Sequence, residues 1–148
     1  MHIRRATAED LPEILRLLLE DRATPSAEAE PGARCYADAF DEMQRSEWNG
    51  IYVAELDGRV IGTFMLTFMR HLMRQGALVA QIEAVRIDAP RRGHGYGAQM
   101  MRWAIDEALR RGCSRVQLTT NKSRKDAHRF YKRLGFRATH EGMRLAFD

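Results

Sequence analysis

The chain has 148 residues, 45% of them hydrophobic, and a formal charge of +4. That length suits one compact domain with its own core, and no apolar run approaches the roughly 20 residues that cross a bilayer. Two cysteines and five histidines, without HExxH or paired-cysteine spacing, offer neither a disulfide framework nor a metal site.

The start, Met1-His2-Ile3-Arg4-Arg5, lacks the apolar core of a signal peptide and reads as a first strand, so a cytoplasmic location is expected. Thr7 offers an N-cap, with Asp10 three residues on. Leu11, Ile14, Leu15, Leu18 and Leu19 then form the apolar stripe of a helix ending near Glu20. The polar stretch 21–32, with Pro25, Pro31 and Gly32, reads as a connection. A second helix over 33–45 is expected to bury Tyr36, Ala39, Phe40 and Met43.

Residues 51–56 and 60–68 are strands joined by Asp57-Gly58, a strong hairpin signal. A basic loop over 70–76 leads into a strand over 80–88, apolar at alternate positions from Ile82 and holding Glu83. Arg91-Arg92-Gly93-His94-Gly95-Tyr96-Gly97 follows, and after it 98–111 carries Met100, Ala104 and Ala108 at helical spacing. Three glycines at every second position let the backbone turn tightly and approach a ligand. A helix starting at the third glycine aims free N–H groups and its positive dipole end at the loop. Spacing alone leaves two readings open, a phosphate site or a plain turn.

Cys113 sits at a helix–strand junction as a small buried hydrophobe. The next strand carries Val116, Leu118 and Thr120 and runs to Asn121. A last helix over 124–134 puts Ala127, Phe130, Tyr131 and Leu134 on one face before Gly135. Residues 136–147 are expected to form a strand pair turning at Glu141-Gly142. The order is β-α-α-β-β-β-α-β-α-β-β, an α/β chain (α+β by some schemes) in a single domain over 1–148. Cations crowd the loop and the later helix, including Arg91, Arg92, Lys122, Arg124, Lys125 and Arg129. Such a field suits a polyphosphate, an anionic substrate or nucleic acid, or it is a solvated basic face.

Context sharpens the loop. Arg92-Gly93-His94-Gly95-Tyr96-Gly97-Ala98 between strand and helix resembles the Arg/Gln-x-x-Gly-x-Gly/Ala signature of the GNAT N-acetyltransferases. Asn121 at a strand end and Ala127-His128-Arg129-Phe130-Tyr131-Lys132-Arg133-Leu134-Gly135-Phe136 resemble that family's second motif. The run from Thr119 to Tyr131, with Gln81-Ile82-Glu83 upstream, is also similar to aminoalkylphosphonate N-acetyltransferases.

The resemblance implies a central mixed sheet, splayed at the cofactor site and flanked by about four helices, that binds acetyl-CoA and releases coenzyme A. It implies that the N–H groups of Gly93, His94, Gly95, Tyr96, Gly97 and Ala98 hold the pyrophosphate, with Arg92 adding charge. The pantetheine arm would pair with the backbone of Val85, Arg86 and Ile87. Asn121 either contacts that arm or caps the last helix. Tyr131 matches the tyrosine that protonates the departing thiolate, although its place on the apolar stripe also suits a core residue. Glu83 is the candidate base, since an ammonium must lose a proton before it attacks a thioester; the other reading is an ion pair with Arg86 or another arginine. Two-residue spacing predicts that Glu83 and Val85 share a face.

The implied acceptor is the primary amine of a small molecule, with no metal, nucleic acid or membrane involved. Residues 21–36 and the basic loop, with Arg70, His71 and Arg74, would wall its pocket. The final hairpin, with His140 and Arg144, would complete that pocket or form the edge of a homodimer. The other functions this fold admits are a protein or peptide N-acetyltransferase and a non-catalytic acyl-CoA-binding module.

Overall fold

A computed structural model describes residues 1–20 and 30–147. The expected connection over 21–32 therefore lies mostly outside the described residues. Strand β1 (His2–Arg5) leads through a single 3-10 turn (Ala8–Asp10) into α1 (Leu11–Leu19). Asp10 organises that junction. Its Oδ2 accepts from the Thr7 N–H at 2.7 Å and the Thr7 hydroxyl at 3.1 Å, while Arg4 of β1 grips both carboxylate oxygens at 2.6 and 2.9 Å.

Helix α2 (Arg34–Arg45) packs less of its surface than its pattern promised. Phe40 is buried and Tyr36 and Met43 are half-buried, but Ala39 is exposed. Strands β2 (Asn49–Leu56) and β3 (Arg59–Arg70) form the expected hairpin. Asp57 and Gly58 both take positive φ, 51° and 74°, the twist that a tight two-residue hairpin requires. A short turn, α3 (Met73–Gly76), contains left-handed Arg74 and Gln75 and joins β3 to β4 (Leu78–Ile87).

Helix α4 (Tyr96–Arg110), strand β5 (Cys113–Leu118) and helix α5 (Lys125–Arg133) complete the ordered elements. The sheet runs β1-β2-β3-β4-β5, antiparallel except for β5, which is parallel to β4. Each face buries its own core. Ala6, Ile14, Phe40, Ile51 and Val53 gather on the α1 and α2 side. Phe64, Leu66, Ile82, Met100 and Ala104 belong to the larger cluster on the α4 and α5 side, joined by half-buried Val85, Ile87, Phe130 and Tyr131.

The expected strand pair over 136–147 does not form. Residues 137–147 are exposed and make no backbone hydrogen bond among the described residues. Apolar alternation describes a strand only where a neighbour supplies the ladder, and an isolated hairpin is marginal in water. Strand β5 likewise stops at Leu118, three residues short of Asn121, because its pairing with β4 ends there.

Candidate active site

Strands β4 and β5 pair only from Leu78 against Cys113 to Ile82 against Leu118. Beyond Ile82 the two part, and the cause lies within β4. Ala84 takes φ 52°, a left-handed conformation costly for any residue with a Cβ. The register against β3 shifts there. Met65 faces Glu83 and Thr63 faces Arg86, so Ala84 and Val85 together oppose Phe64. This is a β-bulge, which bends a strand and re-aims its side chains.

The bulge corrects the expected face. Directly opposed residues in an antiparallel pair share a face. Glu83 and Arg86 therefore lie on the α1 and α2 side with Met65 and Thr63, while Val85 packs against the core under α4 and α5. Glu83 and Val85 do not share a face. Glu83 is exposed, and its Oε1 accepts from Gln81 Nε2 at 3.4 Å. No ion pair of Glu83 is found among the described residues.

Along the parted stretch, arginines hold two backbone carbonyls. Arg86 donates to the Val85 oxygen at 2.9 Å, and Arg92 Nε donates to the Ile87 oxygen at 3.0 Å. A second 3-10 turn, Ala89–Arg91, then delivers the chain to the glycine loop. Gly93 and Gly95 take φ 81° and 84°, which a residue with a Cβ would resist. Gly97 serves a different end: a Cβ there would meet the Phe130 ring at 3.5 Å, so α4 and α5 sit close together.

Helix α4 starts at Tyr96, slightly earlier than expected, with Gly95 as its N-cap. No side chain caps it, and the first backbone bond back into the loop runs from Gln99 to Gly95. The N–H groups of Gly93, His94, Gly95, Tyr96, Gly97 and Ala98 have no backbone acceptor among the described residues. A 15-residue helix thus points its positive end and a row of donors at the mouth of the split sheet. His94 turns inward to the Arg92 carbonyl at 2.9 Å and stacks on Tyr96.

Tyr131 lies on α5 between Phe130 and Phe136, with ring centroids 5.1 and 5.9 Å away. Burial pushes its phenol above the ordinary range, while Arg124 and Arg86 pull it the other way. Asn121 organises the turn before α5, whose N-cap is Arg124 and lacks a side-chain cap. Its Oδ1 accepts from the Ser123 N–H at 2.9 Å and hydroxyl at 2.8 Å, and its carbonyl accepts from Arg124 and His128 at the head of α5. One residue earlier, the buried Thr120 Oγ1 has no hydrogen-bond partner among the described residues. That unsatisfied hydroxyl past the end of β5, with the unengaged N–H row across the gap, fits a polar arm ending in phosphates.

Other expected residues lie elsewhere. The basic loop meets β4 at its start, five residues or roughly 17 Å of strand from Glu83. Arg70 is tied there to the Gly76 carbonyl at 2.8 Å. His140 and Arg144 are exposed on the final segment. A cavity of about 420 Å³ opens beside the 3-10 turn before α1, lined by Glu9, Asp10, Glu13 and Asp88 among others. Arg59 and Arg91 share its wall with those carboxylates, and neither Glu83 nor Tyr131 lines it. Cys113 is half-buried, and burial raises its thiol pKa, in keeping with a packing role.

Two positions carried no sequence signal. Ala84 announces no bulge, since alanine ordinarily avoids positive φ. Gly62 on β3 is required by contact: a Cβ there would lie 2.7 Å from Ile87 Cδ1 and Met100 Sδ and 2.9 Å from the Arg86 carbonyl. Only glycine lets α4 press on the sheet beside the split.

A mixed sheet that parts next to a glycine loop and a helix N-terminus is the architecture expected of a coenzyme A-dependent N-acetyltransferase. The chain belongs to the acetyltransferase (GNAT) family, whose model matches residues 11–136. Members of that family use acetyl-CoA. The chain is 30% identical over 138 residues to the aminoalkylphosphonate N-acetyltransferase of Salmonella typhimurium, covering 93% of this chain and 86% of that one. It is 30% identical over 95 residues to the glucosamine 6-phosphate N-acetyltransferase of Trypanosoma brucei brucei, covering 64% and 63%. Among solved structures it matches a protein of Bacillus halodurans C-125 described as a transcriptional regulator, at 40% identity and TM-score 0.93 over 99% of both chains.

Proposed function

We propose that the chain transfers the acetyl group of acetyl-CoA directly to the primary amine of a small molecule that also carries a phosphate or phosphonate. The observation that carries this reading is the bulge at Ala84. It opens the sheet beside the glycine loop and turns Glu83 to one side of the opening, with Tyr131 packed on the other. When bound, acetyl-CoA supplies an activated thioester. The chain's own residues do the rest. The N–H row from Gly93 to Ala98 holds the phosphates, and the backbone of Val85, Arg86 and Ile87 aligns the arm between the strands. Glu83 takes the proton from the incoming ammonium, directly or through a water. Tyr131 delivers a proton to the departing sulfur. Holding both reactants in line supplies much of the rate, and no covalent intermediate on the enzyme is needed.

The anionic acceptor is supported by the relatives' names, since an aminoalkylphosphonate and glucosamine 6-phosphate both join an amine to a phosphorus-centred anion. Arg86, on the same face as Glu83, is the nearest cation along the strand, with Arg70, His71 and Arg74 further out. The protein is proposed to act in the cytoplasm as a homodimer. The test is thiol release from acetyl-CoA across aminoalkylphosphonates, amino-sugar phosphates, amino acids, aminoglycosides and peptide N-termini. Amines bearing phosphate or phosphonate are expected to give kcat/KM at least about tenfold above their neutral counterparts, a difference of about 1.4 kcal/mol. Faster turnover of peptides, or of amines without the anion, overturns the acceptor class.

One observation favours a second reading. The Bacillus halodurans match is described as a transcriptional regulator, and α5 carries Lys125, Arg129, Lys132 and Arg133. Binding of duplex DNA that weakens steeply with added salt would support it.

A further inference from the structure

Asp88 stands at the corner of the candidate cofactor cradle. It is the first residue after β4, so the parted stretch 85–87 ends on one side of it, and the 3-10 turn into the glycine loop begins on the other. Its backbone is held twice. The N–H donates to the Ile61 carbonyl of β3 at 2.8 Å, and the carbonyl accepts from the Arg91 N–H at 2.9 Å. Its side chain is held from a third direction, by Arg16 of α1, whose Nη2 donates to Oδ1 at 2.9 Å.

Arg16 is a fixed post rather than a loose surface cation. Ile14, Leu15 and Leu17 around it on α1 are buried, which fixes the helix that carries it. Glu13, one turn before, accepts from its Nε at 2.9 Å and its Nη2 at 2.6 Å. Glu20, one turn after, accepts from Nη1 at 3.4 Å. Two carboxylates of its own helix thus aim the guanidinium at a third, 72 residues away in sequence.

Magnitudes decide what this bond is for. The two side chains are 41% and 22% exposed, and an ion pair so open to water contributes about 1 kcal/mol or less to stability. What it supplies is placement. The segment that follows Asp88 runs into left-handed Gly93 and Gly95, where the backbone has most freedom. A misplacement of about 1 Å in such a segment can cost on the order of 10²-fold in function. We infer that Arg16 is a positioning residue for acetyl-CoA. By holding Asp88 it fixes the angle between the parted strand, along which the arm of the cofactor lies, and the glycine loop that grips its phosphates. This role rests on the acetyl-CoA chemistry proposed above.

The test follows coenzyme A binding by calorimetry, acetyl-CoA kinetics and amide exchange in the unaltered chain, Arg16→Gln, Asp88→Asn and the double variant. Arg16→Gln should raise the Kd for coenzyme A and the KM for acetyl-CoA about tenfold, with kcat within about twofold. Tm should barely move, as expected for an exposed pair, while the amides of 88–98 should exchange faster in the free protein. Asp88→Asn should act in the same direction. The double variant should bind no better than Arg16→Gln, because the two substitutions break one bond. Glu20→Gln, which removes only the longer tie at 3.4 Å, is the control and should bind as the unaltered chain does. Equal affinity in Arg16→Gln and the unaltered chain overturns the positioning role and leaves the acetyl-CoA reading standing. A double variant restored to full affinity shows that Arg16 only neutralises a carboxylate near the phosphates, which also overturns it. A lowered Tm and kcat with Kd unchanged assigns the pair to the fold instead. An unaltered chain that binds no coenzyme A overturns the acetyl-CoA reading, and this role falls with it.

Discussion

Tyr131 is suited to giving a proton away because its surroundings hold that proton on. Burial between Phe130 and Phe136 is the larger effect on its phenol, and the fields of Arg124 and Arg86 only partly offset it. The group stays protonated throughout the neutral range, so it can meet a developing thiolate as a donor. Tyr131→Phe keeps the ring packing and removes only the hydroxyl. It should lower kcat by about 10²–10⁴ with little change in the KM for acetyl-CoA, read from initial rates. Unchanged turnover would leave Tyr131 a core residue. Glu83→Gln preserves shape and the contact with Gln81 while removing the proposed base. In that variant kcat/KM should fall by about 10²–10⁴, read from initial rates, and unchanged kcat/KM assigns the base elsewhere. Both residues were legible as types: a lone carboxylate on an apolar strand, and a tyrosine where phenylalanine would serve a core. Their relative placement was not, because the bulge at Ala84 reverses the alternation on which a face is read.

The elements around the split were mostly legible because each announces itself locally. The β2–β3 hairpin has its Asp57-Gly58 turn, and α4 has its glycines and its 3.6-residue apolar stripe. The elements that failed depend on partners that local pattern does not name. Ala39 sits at the right spacing on α2 yet faces water, and 136–147 alternates without a neighbour in its own sheet. The close approach of α4 to the sheet is the tightest such dependence, and it turns on Gly62. In Gly62→Ala the new Cβ meets two side-chain ends that can yield and one backbone oxygen, on Arg86, that cannot without moving β4. The cost should be about 1–3 kcal/mol, seen as a Tm lowered by several degrees. Because the carbonyl that must shift belongs to the parted stretch, the KM for acetyl-CoA should rise as well. Gly97→Ala, whose Cβ would meet only ordinary contacts, is the control and should be the milder of the two. Equal effects would mean that the packing at Gly62 is looser than its contacts indicate.

At the scale of the whole molecule, one carboxylate ties the first two strands to the turn that opens the first helix. Asp10 accepts from Arg4 on β1 and from Thr7, and Arg4 reaches on to Glu55 of β2 at 3.0 Å, so three segments meet at one half-buried cluster. The Arg4 hydrogen bonds hold the Asp10 carboxyl below its usual range; burial opposes them, and the Thr7 donors add to the lowering. A carboxylate whose folded pKa is depressed stabilises the fold above its unfolded value, near 3.9, and that stabilisation fades as pH falls through the lower folded value. It is therefore fully present at neutral pH and lost only in acid. Glu107, held low first by Arg110 and then by Arg111, adds a second contribution of the same sign on α4. Asp10→Asn should remove charge-assisted bonds worth about 1.5–3 kcal/mol at pH 7 and leave Arg4 short of a partner in a half-buried place. In acid the same substitution should cost much less, because the native carboxylate is itself being neutralised there. Thermal melts of both proteins between pH 7 and pH 2 check this: the two Tm curves should converge as pH falls, with the shallower slope in the variant. Curves that stay parallel would place the acid sensitivity of the fold in Glu107 and the other carboxylates rather than in the cluster that joins the sheet to its first helix.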